Sequence, residues 1–147
     1  MSINIDNAFT AAILGGGLAI DVVHDNGIYS SWTGSAYESV QGVYTPDASR
    51  EYCEITVFPA STQPFSLAHT DENRGIYQAI VHYPADTGAI AAKTKAEEIL
   101  ALFSPSTPLT SGGQTVYIIN KTRDGGRVDG GFYQIVIRVE YRAYTAR

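Results

Sequence analysis

Apolar and polar positions alternate most cleanly near the end of the chain. From Phe132 to Arg142, Tyr133, Ile135, Ile137, Val139 and Tyr141 fall on one side, and Gln134, Arg138, Glu140 and Arg142 on the other. A period of two predicts a strand with one face on a core and the other wet or facing a partner. A second pattern runs from Arg74 to Phe103. Arg74 to Tyr83 is rich in β-branched and aromatic residues and reads as a strand. Pro84 to Gly88 interrupts it, because Pro donates no N–H and Gly permits unusual dihedrals. From Ala89 the period changes: Ala92, Ala96, Ile99, Leu100 and Phe103 share one face of a helix, with Lys93, Lys95, Glu97 and Glu98 away from its centre. Ser104-Pro105 stops that helix, since the residue before Pro avoids the α region. The unit has a core face and a solvent face but no obvious chemistry, which points to assembly before catalysis.

The remaining segments are read in order. Ile3 to Leu14 forms a helix with Ile5, Phe9, Ala12 and Ile13 on one face, and Gly15-Gly16-Gly17 ends it as a hinge. Leu18 to His24 and Ile28 to Trp32 form an extra N-terminal hairpin across Asp25-Asn26-Gly27. Thr33 to Asp47 is mostly loop, anchored by Val40, Val43 and Tyr44. Glu51 to Phe58 alternates as a strand, with Cys53, Ile55 and Val57 on one side, and Pro59 ends it. Ala60 to Asn73 is a long polar connection. Ser104 to Gly113 is a turn region, Gln114 to Asn120 a strand, and Lys121 to Gly131 a flexible loop. The expected fold is α+β: a small α/β sandwich, an antiparallel-rich twisted sheet of about four main strands, with two helices on one face.

At 147 residues the chain is one domain, 1–147, large enough to bury a core. Its net charge of -5 argues against a general nucleic-acid binder, which needs a basic stripe to displace counterions. One cysteine excludes an internal disulfide framework and makes a cytosolic origin the default. No secretory leader or membrane span is expected. Ten tyrosines with few charges suggest a large partner-facing surface. Trp32 is either a core plug or an interface anchor. Candidate chemistry is thin. His24, His69 and His82 lack ligand spacing, so no metal or cofactor is expected. The triple glycine lacks the continuation of a phosphate loop, and no nucleophile elbow is present. Cys53 lies on an apolar strand side and reads as a buried thiol. Asp71 and Glu72 read as solvated loop carboxylates. Arg74, Lys121, Arg123 and Arg127 either line a pore, meet an acidic partner or serve solubility.

Several short motifs occur in a recognisable order: Val43-Tyr44-Thr45-Pro46; Tyr52 opening a strand that closes with Phe58-Pro59-Ala60; Arg74-Gly75-Ile76-Tyr77-Gln78; Tyr83-Pro84 with Gly88; the helix ending at Phe103; and Asp129-Gly130-Gly131-Phe132-Tyr133 leading to Tyr141-Arg142-Ala143. Together, over residues 43–143, they resemble the tail terminator-like proteins of tailed bacteriophages. Residues 1–42 look divergent. The resemblance implies a structural virion protein without catalytic residues. It would form a homohexameric ring that caps the head-proximal end of the tail tube, stops its polymerisation and offers a docking surface to the head connector. It implies a place in the tail and neck, assembly in the bacterial host cytoplasm, and DNA only in passage through the lumen. The loops Ala60–Asn73 and Asn120–Gly131 would face axial partners, with His69, Asp71, Glu72, Arg74, Lys121, Arg123, Asp124, Arg127 and Asp129 as candidate contact residues. Two alternatives stand beside this: a head-side neck connector or stopper, and a small-ligand-binding or enzymatic α+β domain.

Overall fold

The structure, a computed structural model, describes residues 3–24, 27–47, 49–66, 70–85 and 88–146. In chain order the elements are α1 (Ile3–Leu14), β1 (Asp21–Val23), β2 (Ile28–Trp32), β3 (Tyr37–Gln41), β4 (Tyr52–Ser66), β5 (Thr70–Pro84), α2 (Ala89–Ala101), β6 (Leu109–Ser111), β7 (Gln114–Arg123), β8 (Arg127–Asp129) and β9 (Phe132–Ala146). All nine strands join one mixed sheet in the order β3-β2-β1-β4-β5-β9-β7-β6, with β8 paired to β9 off that path. Among the described residues the one parallel pair is β1 with β4, Val22 beside Cys53. The α+β class holds, but the expected four-strand sandwich does not: this is one broad sheet of nine strands with two helices.

The extra strands come from segments whose composition disguised them. Pro59 does not end β4. The strand passes it with a register shift between Pro59 and Ser61, and a second shift follows between Pro64 and Ser66. Pro is tolerated there because, beyond Glu54, β4 has a described partner strand on the β5 side alone, so the other side makes no ladder that Pro could break. Residues 60–66 and 70–73 therefore extend a long hairpin and are not a loop. Within the stretch read as loop from Thr33 to Asp47, Tyr37–Gln41 pairs as β3 against β2. The stretch Lys121–Gly131 holds the end of β7 and all of β8. The Asp25-Asn26 half of the predicted hairpin turn lies outside the described residues, but Val22 does pair with Ser30 across it.

Both helices cover the same face. The odd-numbered positions of the central strands point to them: Cys53 and Ile55 on β4, Tyr77, Ala79 and Val81 on β5, and Ile135, Ile137, Val139 and Tyr141 on β9, all buried. From α1, Phe9 stacks on Tyr77 at 4.3 Å between ring centroids and meets Tyr141 edge-on at 5.2 Å. From the end of α2, Phe103 tilts against both Phe9 and Tyr77. The small Ala92 and Ala96 are fully buried and let α2 lie close to the sheet. Burying side chains of this size stabilises the fold by about 1.5–3 kcal/mol each, so the helix layer is the energetic centre of the molecule. Gly17, at φ +71, closes α1 in a conformation that favours glycine.

Candidate functional site: an assembly surface

Among the described residues the second face of the sheet carries no helix. Its even-numbered residues stand in register across three long strands. Glu54, Ile80 and Val136 form one row; Thr56, Gln78 and Arg138 the next; Phe58, Ile76 and Glu140 the third. Phe58 is 47% exposed and Tyr117, on the neighbouring β7, is 38% exposed. Each row mixes apolar and polar groups. Tyr117 meets Tyr144 edge-on, and the Arg142 guanidinium lies 5.9 Å from the Tyr144 ring centroid.

At one end of this face a row of rings crosses the sheet: Tyr29 on β2, Tyr44, Tyr52 on β4, His82 on β5 and Phe132 on β9, with successive centroids 4.3 to 6.1 Å apart. Tyr44 belongs to the segment that joins β3 to β4, and a buried carboxylate fixes that segment in place. Asp21 Oδ1 accepts from the Trp32 N–H and from Arg50 Nη2, both at 2.8 Å, while Oδ2 accepts from the Tyr44 hydroxyl at 2.9 Å. Arg50 Nη2 also donates to the Trp32 carbonyl. A charge this buried is tolerable because it is paired and fully hydrogen-bonded. Burial, then the bond to Asp21, pushes the Tyr44 hydroxyl well above the usual tyrosine range. Beside this node, Glu54 Oε1 lies 3.0 Å from His82 Nε2, and that hydrogen bond holds the Glu54 carboxyl below the usual range.

A cleft of about 250 Å³ opens between β1, β2 and the Tyr44 segment, lined by Val23, Ile28, Val43, Tyr44, Pro46 and Tyr52 with His24 and Glu54 among its polar groups. Cys53 is buried on the other face, and burial pushes its thiol up to about 12, so it stays protonated at neutral pH. Among the described residues no group of three His, Cys, Asp or Glu side chains is placed to hold a metal ion. Among them, too, no helix is long and apolar enough to cross a membrane.

The candidate contact residues do not gather at one place. His69 lies outside the described residues. Asp71, Glu72 and Arg74 sit on β5, not on a loop; Arg74 Nε donates to Glu72 Oε1 at 2.5 Å. Their partners on β9 are Thr145, Tyr144 and Arg142, whereas Arg127 and Asp129 pair with Gln134 and Phe132. The two groups thus mark opposite ends of β9, roughly 30 Å apart at strand rise. Lys121 and Arg123 turn to the helix side. Lys121 Nζ donates to the Leu100 carbonyl at 2.8 Å, near the negative end of α2, and Arg123 Nε donates to Glu97 at 2.6 Å. Asp124 shapes the turn into β8: its Oδ1 accepts from the Gly126 and Val136 N–H groups. Arg127 and Asp129 stand exposed on β8. Sequence reasoning missed the Asp21 node and the ring row, whose members are brought together by pairing between strands distant in sequence.

The sheet thus has one helix-covered face, one face of mixed and partly exposed side chains, and two unlike edges. Comparison with known sequences gives the family. Residues 16–141 match the family model described as phage tail terminator protein, and the chain belongs to that family. It is a structural component of a phage tail that interacts with other tail components. The matched region takes in most of residues 1–42. No curated protein matches the sequence significantly. One solved chain is similar over 95% of this chain and 92% of its own length, with a TM-score of 0.69 and 23% identity, a likeness that concerns the fold alone.

Proposed function

We propose that this chain assembles into a homohexameric ring at the head-proximal end of the tail tube, where it stops tube polymerisation and presents the surface on which the head connector docks. The observation that carries the reading is membership of the tail terminator family across residues 16–141. The architecture supports it. Stopping a polymer requires one surface that the last tube subunit accepts and a different one that no further tube subunit can use. The β4–β5 hairpin and the β8 hairpin lie towards opposite ends of the long strands and supply two such surfaces. Arg74, Asp71 and Glu72 belong to the first, and Arg127 and Asp129 to the second. The ring sits in the neck of the virion and forms in the host cytoplasm. DNA only passes through it, and a chain of net charge -5 is compatible with passage without retention.

The test is tube assembly from purified tube protein, with tube lengths measured by electron microscopy. Added at the onset of growth, this protein should arrest elongation and remain on one end of each tube. Tubes that grow to the same lengths with or without it contradict the proposal.

A further inference from the structure

The charges along the chain are segregated, and the fold converts that segregation into a polarity across the sheet. Arg50 is the single cation in the first 73 residues, against nine carboxylates, whereas residues 109–147 carry six of the ten cations and three carboxylates. The first group builds one flank, β3-β2-β1-β4, and the second builds the other, β9-β7-β6 with β8. On the acidic flank Arg50 is committed to Asp21 and Glu54 is paired with His82, which leaves Glu38 on the edge strand β3 and Asp47 and Glu51 near the Tyr44 segment. On the basic flank Lys121 and Arg123 are committed to α2, and Arg127, Arg138 and Arg142 remain, with Asp129 and Glu140 among them. Register places Glu38, Glu54, Arg127 and Arg138 on the same helix-free face.

We infer that the acidic β3 flank of one copy docks against the basic β8–β9 flank of the next. This rests on the ring reading above and names the contact that closes it. A flank with an excess of one sign disfavours contact with its own copy and favours the opposite flank, which suits a heterologous, head-to-tail contact of the kind that closes rings. Like charges brought together oppose any contact of a flank with its own copy. The two edges are also unlike in form: β3 is a five-residue strand with nothing described beyond it, while the far flank ends in the three-residue β6 and β8. Fields between exposed charges fall with a screening length of about 10 Å at 0.1 M salt and about 3 Å at 1 M, so the contact is salt-sensitive.

The experiment compares self-association of the wild type, Glu38→Arg, Arg127→Glu and the Glu38→Arg/Arg127→Glu double variant by sedimentation and native mass, at low and high NaCl, with circular dichroism as the check on folding. Glu38→Gln and Arg127→Gln, which remove charge without reversing it, serve as the gentler pair. Each reversal should weaken association by about tenfold, each neutral variant by less, and the double reversal within one chain should recover most of the loss. High salt should weaken the wild type and level the series. An oligomer that forms equally in all variants overturns the flank contact and leaves the ring standing on other surfaces. A wild type that stays monomeric and leaves tube ends bare overturns the ring reading itself.

Discussion

Gly75 illustrates how one residue can be held by its neighbours and not by its own conformation. It lies in the middle of β5, opposite Tyr141 on β9. A Cβ there would come within 2.5 Å of the Tyr141 hydroxyl and 2.6 Å of the Phe58 carbonyl oxygen. The ring and a backbone oxygen together leave no space, and the backbone oxygen cannot swing away. Gly75→Ala should therefore cost about 1–3 kcal/mol as overpacking, read as a lowered urea midpoint at unchanged m-value; an unchanged midpoint would contradict the packing. Glu54 gives a pH signature. Its carboxyl is held below the usual range by the hydrogen bond with His82. The stabilisation is complete above the unfolded-chain value of about 4.3 and is lost as the pH falls through the lower folded value. The stability difference between wild type and Glu54→Gln should be largest above about pH 5 and shrink below about pH 4. A difference that is constant from neutral pH to pH 3, roughly a unit below that reference value, would remove the pair from the account.

At the scale of elements, β4 shows how a long edge is kept from pairing with other chains. Beyond Glu54 its outer side has no described strand partner, and Pro59, Pro64 and the two register shifts lie along that stretch. Such devices blunt an edge against strand addition. Replacing both prolines by Val should promote aggregation with cross-strand character, measured by light scattering and infrared amide bands; a variant as soluble as the wild type would show that the arm's twist or its exposed polar side chains suffice. The same prolines explain why the sheet was only partly legible beforehand. The span of α1 and the core faces of α2 and β9 follow directly from periodicity, because each buries one face; β2 follows from the turn chemistry before it, and β5 from its β-branched and aromatic composition. β3, β6 and β8 carry few buried side chains, so their patterns resemble loops; they are strands because neighbours pair with them. Arg74, Arg127 and Asp129 were recognisable as exposed charge. The Asp21 node was not, because its partners Trp32, Tyr44 and Arg50 stand 11, 23 and 29 residues away and converge only once β1 pairs with β4.

For the whole molecule, the helix layer and the uncovered face divide the work. Phe9, Tyr77, Phe103 and Tyr141 hold the fold together on one side, which frees the other face, the flanks and the two hairpins for contact. In the proposed ring, the acidic-to-basic polarity across the sheet would provide direction, each subunit offering one sign to the copy on its left and the other to the copy on its right. The measurement that tests this account most directly is the native mass of the purified protein across concentration, with negative-stain images of the same samples and of samples mixed with tail tubes. The account predicts hexameric rings with a central hole, free in solution or formed on tube ends. A protein that remains monomeric at every concentration and leaves the tube ends unoccupied would contradict it.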